Sequence, residues 1–141
     1  MEQIITVFLD IDGTLIYNPP TFEETFHRRE CIPGTHEKLL EWHKKGYKII
    51  LTTGRPSTYK DETVRQLNNL GILYDQLIMD CGCGPRVVIN DLDPFYPDNL
   101  KARAINLTRN KGIVDISLWS LLVTVTANLT NIKSVEDATE V

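Results

Sequence analysis

Asp10 and Asp12 stand two residues apart at the end of an apolar run, in "VFLDIDGTLI" (Val7–Ile16). A buried strand gains nothing from two carboxylates, so their placement points to chemistry. Gly13 permits the sharp turn that would bring both to one side, and the Thr14 hydroxyl can brace it. Two more apolar runs end in polar groups. Thr52, Thr53 and Gly54 follow "KIIL", and Asn90, Asp91 and Asp93 follow "VVI". Asp10, Asp12 and Asp91 would together make an all-oxygen cluster, which selects a hard cation such as Mg²⁺. One carboxylate beside such an ion can attack phosphorus and form an aspartyl-phosphate. A second can protonate the leaving alkoxide and then activate water. The hydroxyl and backbone N–H groups of "TTGRP" could hold the transferring group, and the cation would offset its charge.

These residues need a scaffold that gathers strand ends. "QIITVFLD" reads as a buried strand ending at Asp10, and "YKIILTT" as a second. Between them, "PGTHEKLLEWHKKG" reads as a helix capped by Thr35 and stopped by Gly46, with Leu39, Leu40 and His43 on one face. "PSTYKDETVRQLNNLG" reads as another helix, with a stripe of Val64, Leu67 and Leu70. "YDQLIMD", "RVVIND" and "RAINLT" supply three more strands, and the Pro19–Pro20 stretch a loop or flap. Alternating strands and helices imply an α/β fold, a single doubly wound parallel sheet with helices on both faces. Ligands bind such sheets beyond the carboxyl ends of the strands. The domain is expected to span residues 1–132, with a polar tail at 133–141. The segment "GIVDISLWSLLVTVTANL" reads as a helix capped by Asp115 and running through Leu122, with a strand as the alternative because Leu121, Val123, Val125 and Ala127 alternate with polar residues; its apolar density over 116–129 marks a homo-oligomer interface.

Bulk properties narrow the classes. The 141 residues carry a net charge of −4 and 42% hydrophobic residues. That balance argues against a nucleic-acid groove, and no apolar run reaches the roughly 20 residues of a membrane helix. Three cysteines give no disulfide framework, and the start carries no signal-peptide pattern, so a cytoplasmic location is expected. Cys81 and Cys83 in "DCGCG" lack zinc-ligand spacing.

"FLDIDGTL" resembles the first motif of the haloacid-dehalogenase-like (HAD) hydrolase superfamily, "IILTTGR" its second and "VVIND" its fourth, with Asn90 in place of the first acid. The resemblance covers Ile4 to Asp93 and implies a Rossmann-like phosphatase of phosphate monoesters. It makes Asp10 the nucleophile and Asp12 the general acid/base, with the Asp12 main-chain carbonyl on Mg²⁺. Thr53, with Gly54, becomes the phosphate-binding turn, and Asp91 the remaining metal ligand. The third-motif lysine has no match near "MDCGCGPR"; Arg86 is the candidate replacement, with Arg55 as the alternative. The interval between "DGTL" and the second strand and that between the third and fourth strands leave no room for a cap domain. Small capless proteins of this kind imply a small phosphorylated substrate, with a phosphosugar of surface-polysaccharide or nucleotide-sugar synthesis as one analogy. Two rival readings are a binding or partner module that keeps the fold with little turnover, and a phosphatase for a macromolecular substrate.

Overall fold

The computed structural model describes residues 3–123, which divide into two compact units: residues 3–84 with 107–115, and residues 85–106 with 116–123. The first unit holds a three-stranded parallel sheet in the order β1 (Thr6–Asp10), β2 (Lys48–Thr52), β3 (Gln76–Ile78). Helix α1 (Thr35–Lys44) joins β1 to β2, and α2 (Lys60–Asn69) joins β2 to β3. This is the α/β arrangement expected from the alternating pattern, and no cap domain is evident among the described residues.

The middle strand is the buried one. Ile49, Ile50 and Leu51 of β2 are all inside, because β2 has a ladder partner on each side. β1 has one partner, so only Leu9 of it is buried, and Phe8 is 56% exposed. The expectation of a fully buried first strand was therefore too strong. Ile11, Leu15, Ile16, Leu39, Leu67 and Ile113 complete the core at or near zero exposure.

Helix boundaries follow glycine more than hydroxyls. α1 is capped by Gly34, with φ 89°, where Thr35 was expected. Thr35 is the first helical residue and its hydroxyl donates to the Leu15 carbonyl at 3.2 Å, buried. A side chain at position 34 would strike Val114, since an ideal Cβ there lies 2.5 Å from the Val114 Cβ. Gly46 (φ 77°) and Gly71 (φ 69°) end α1 and α2 as expected. The buried face of α1 is Thr35, Leu39 and Trp42, whereas Leu40 and His43 face solvent. In α2 the buried residues are Thr63, Gln66 and Leu67, so two polar residues displace Val64 and Leu70 from the expected stripe. The Pro19–Pro20 stretch leads into a 3-10 helix, Phe22–His27.

"RAINLT", which passes from the second unit into the first at Leu107, and "RVVIND", wholly in the second unit, form no strand. A strand needs a ladder partner for its N–H and C=O groups, and this unit holds no other strand among its described residues. Val87, Val88 and Ile89 are accordingly exposed. α3 (Leu118–Val123) supports the helical reading of that segment, but it begins after Ser117, whose Oγ accepts the Ser120 N–H at 3.3 Å, not at Asp115. The remainder of the expected interface, 124–129, and the tail at 133–141 lie outside the described residues.

Candidate active site

Parallel pairing sets the site at one edge. Asp10 is in register with Thr52, and Thr52 with Ile78, so three strands end side by side about 4.8 Å apart. The turn beyond β1 is closed by backbone bonds: Gly13 N–H to Ile16 O at 2.7 Å, and Leu15 N–H to Ile11 O at 2.9 Å. Gly13 takes φ 86°, which a side chain would resist. The Thr14 hydroxyl donates to Asp10 Oδ2 at 3.1 Å, the brace expected of it. The Asp10 side chain reaches solvent at the strand end.

Asp12 is held by a different device. Arg55 grips its carboxylate with both arms of the guanidinium, Nε to Oδ2 at 2.9 Å and Nη2 to Oδ1 at 2.8 Å. The Arg55 side chain is 3% exposed and that of Asp12 21%. Nη1 donates to Thr63 Oγ1 at 3.2 Å and to Gln66 Oε1 at 2.8 Å. Gln66 in turn donates to the main-chain carbonyl of Thr25 at 2.8 Å. The Phe26 ring lies over the guanidinium, 5.3 Å from its centroid to Cζ. This network explains the polar buried face of α2. A buried arginine must have its donors met, and Thr63 and Gln66 meet two of them. The spacing of the α2 segment alone gave no signal of this pair, because it places Val64 and Leu70 inward instead.

Thr53 is buried, and its Oγ1 accepts the Arg55 N–H at 3.1 Å. Its main chain extends the sheet, with Thr53 N–H to Ile78 O at 3.0 Å and Cys81 N–H to Thr53 O at 2.9 Å. Gly54 sits against the loop after β3, where an added Cβ would stand 2.5 Å from the Gly82 carbonyl oxygen. Close backbone approach therefore accounts for this glycine. Asp80, at φ 63°, accepts the Ser57 N–H at 2.7 Å, and hydrogen bonds from the Ser57 side chain and from this N–H lower its pKa.

Asp91 and Arg86 belong to the second unit. Asp91 is exposed and lies 4.0 Å from the Lys101 ammonium. Among the described residues no three His, Cys, Asp or Glu side chains gather closely enough to hold a metal. Asp10 and Asp12 thus both stand at the end of β1, with Thr53 and Gly54 after the neighbouring strand, while Asp91 belongs to the other unit. Arg55, the alternative phosphate-binding cation, is already committed to Asp12.

A family model for haloacid dehalogenase-like hydrolases matches residues 7–78, more than half of the chain. The chain belongs to that family. The matched stretch contains Asp10, Asp12, Thr53 and Gly54. No protein of curated function matches the sequence. Among solved structures, a structural-genomics target from Vibrio cholerae is 20% identical, covers 84% of this chain and 94% of its own, and superposes with a TM-score of 0.52. The D,D-heptose 1,7-bisphosphate phosphatase from B. bronchiseptica, solved with magnesium and phosphate, is also 20% identical, with a TM-score of 0.42 over 58% of this chain. This chain spans 52% of that phosphatase. The Vibrio structure bears on the fold alone. No described helix is long and apolar enough to cross a membrane.

Proposed function

We propose that this protein hydrolyses phosphate monoesters with Mg²⁺, through an aspartyl-phosphate on Asp10. The observation that carries the reading is the division of labour between the two aspartates. Asp10 reaches solvent at the end of β1 and accepts the Thr14 hydroxyl, whereas Asp12 is fixed in orientation by a buried arginine fork. An Oδ oxygen of Asp10 attacks phosphorus as the bond to the leaving alkoxide breaks, and Asp12 gives that alkoxide its proton. Water then attacks the phosphorus, Asp12 takes the proton back, and phosphate leaves as Asp10 is regenerated. The Arg55 fork occupies two of the roughly four lone-pair positions of the Asp12 carboxylate, leaving others for proton transfer.

The donor set fits a hard cation, because every candidate ligand is an oxygen. Both Asp12 carboxylate oxygens face Arg55, so its main-chain carbonyl is the group to offer a cation, beside the Asp10 carboxylate and, in this reading, Asp91. When bound, Mg²⁺ supplies positive charge against the phosphoryl oxygens. Thr53 and Gly54 flank the transferring group from the neighbouring strand.

For the substrate we favour a small phosphosugar. Phe22, Phe26 and Tyr59 form an aromatic cluster with centroids 5.2–6.0 Å apart, and Phe22 and Tyr59 are partly exposed. Phe26 touches Arg55, which touches Asp12, so the cluster stands one side chain from the chemistry. Such rings suit the apolar face of a sugar. The test is a panel of phosphosugars, nucleotides and phosphopeptides with Mg²⁺, run with wild type and Asp10→Asn. Asp10→Asn should lose about 10³-fold or more in turnover while its circular dichroism stays unchanged, since an amide is no comparable nucleophile. Chelation should abolish wild-type turnover and Mg²⁺ restore it. Equal turnover in the variant removes Asp10 from the mechanism, and an inactive wild type favours the binding-module reading.

A further inference from the structure

A phosphoryl group arriving beside Asp10 and Asp12 adds negative charge to two carboxylates. An arginine or lysine is electrostatically expected there in addition to a divalent ion. Arg55 cannot serve, because its Nε and Nη2 hold Asp12 and its Nη1 holds Thr63 and Gln66. The first unit, however, contains a returning segment, residues 107–115, that docks on the aspartate turn itself. The Asn110 N–H donates to the Gly13 carbonyl at 2.8 Å, and the Asn18 N–H donates to Asn110 Oδ1 at 2.7 Å. Asn110 adopts φ 67°, a conformation that asparagine tolerates better than most residues. Downstream, Ile113 is fully buried, and Gly112 and Gly34 leave no space for side chains against Ile32 and Val114. The segment is pinned at both ends.

That docking lays Arg109 across Gly13. Its Cγ lies 3.2 Å from where a Cβ of residue 13 would be. Arg109 is exposed, and its side chain makes no hydrogen bond or ion pair among the described residues. An arginine held by its stem against the Asp-x-Asp-Gly turn, with its guanidinium uncommitted, is suited to bind an oxyanion bidentately.

We propose that Arg109 is the side chain that binds the phosphoryl group of the substrate at the Asp10 strand end, taking the role that sequence reading gave to Arg86. The assignment rests on the phosphatase reading for its catalytic consequence, but the anion site it describes is measurable without turnover. The informative variant is Arg109→Gln, which keeps the β and γ carbons against Gly13 and removes the charge; Arg109→Lys keeps the charge. For each, kcat and KM are measured on 4-nitrophenyl phosphate with Mg²⁺, and binding of inorganic phosphate by calorimetry. Arg109→Gln should weaken phosphate binding and raise KM about tenfold or more, with a smaller change in kcat and an unchanged melting temperature. Arg109→Lys should recover part of the loss. If wild type is active and Arg109→Gln binds phosphate as wild type does, the assignment to Arg109 is wrong and the phosphatase reading stands. Where wild type turns over no monoester yet Arg109→Gln loses phosphate binding, the phosphatase reading fails and the anion site remains. A wild type that neither hydrolyses monoesters nor binds phosphate overturns both.

Discussion

Two apolar runs of this chain end in aspartates, and they meet different fates. "TVFLD" pairs with β2 over five residues and delivers Asp10 to a turn closed by hydrogen bonds. "RVVIND" has equally strong strand character, yet it forms no strand and is exposed, with Ile89 at 90%. Composition does not separate them. The first run has a ladder partner and a core against which to place Leu9 and Ile11; the second has no ladder partner among the described residues of its own unit. β-propensity measures fit to a pleated, half-buried neighbour more than an intrinsic backbone preference. A carboxylate at the end of an apolar run becomes a positioned group only where the sheet accepts the run.

The contrast predicts very unequal responses to substitution. Arg55→Ala should be the most damaging change, since it leaves Asp12, Thr63 and Gln66 without their shared partner in a mostly buried site. Removing one member of a buried ion pair costs about 3–5 kcal/mol, and chemical denaturation should show a loss at the lower end of that range because Asp12 retains some access to water. Ile89→Ser in the second unit should shift the same transition by less than about 0.5 kcal/mol, as exposed sites do. Comparable losses at the two positions would show that the second run is packed in solution and would close the gap between the regions.

The order β1, α1, β2, α2, β3 was legible because each element has its own local signal: apolar runs for strands, amphipathic spacing for helices, and Gly46 and Gly71 as stops. The strand-end aspartates were legible for the same reason. What lay beyond reach depended on contacts between distant residues. Thr63 and Gln66 face inward because Arg55 needs acceptors, and nothing in the α2 segment alone announces that need. Gly34 displaces Thr35 as the cap because Val114, eighty residues away, occupies the space a side chain would take. Asn110 docks on Gly13, far away in the sequence, and nothing in its own segment names that partner.

A middling effect is expected at Gly54. The Gly82 carbonyl oxygen stands 2.5 Å from an ideal Cβ, and a carbonyl pinned between two loops cannot retreat freely. Gly54→Ala should cost about 1–3 kcal/mol, as overpacking does. It should also impair turnover beyond that loss, because the displaced backbone carries Thr53. Full stability in this variant would mean that the loop after β3 yields, and that the two strand ends are less rigidly joined than the ladder implies.

The smallest effect concerns the same junction and depends on pH. Asp80 ties the loop after β3 to the start of the α2 region, its Oδ1 accepting the Ser57 N–H at 2.7 Å and its own N–H donating to the Arg55 carbonyl at 3.0 Å. Hydrogen bonds from Ser57 favour the charged carboxylate and lower its pKa. The sign follows directly. With a folded pKa below the unfolded one, the tie is fully present above the ordinary carboxylate range and is lost as pH falls through the depressed folded value. On acidification, hydrogen exchange at the Ser57 amide should therefore accelerate relative to its intrinsic rate, while amides within β2 keep their protection. Asp80→Asn isolates the cause: asparagine also tolerates positive φ and retains an acceptor oxygen, so Ser57 protection should persist without the acid-dependent loss. Equal pH dependence in wild type and Asp80→Asn would place the titrating group elsewhere and leave this carboxylate with no part in joining the two strand ends.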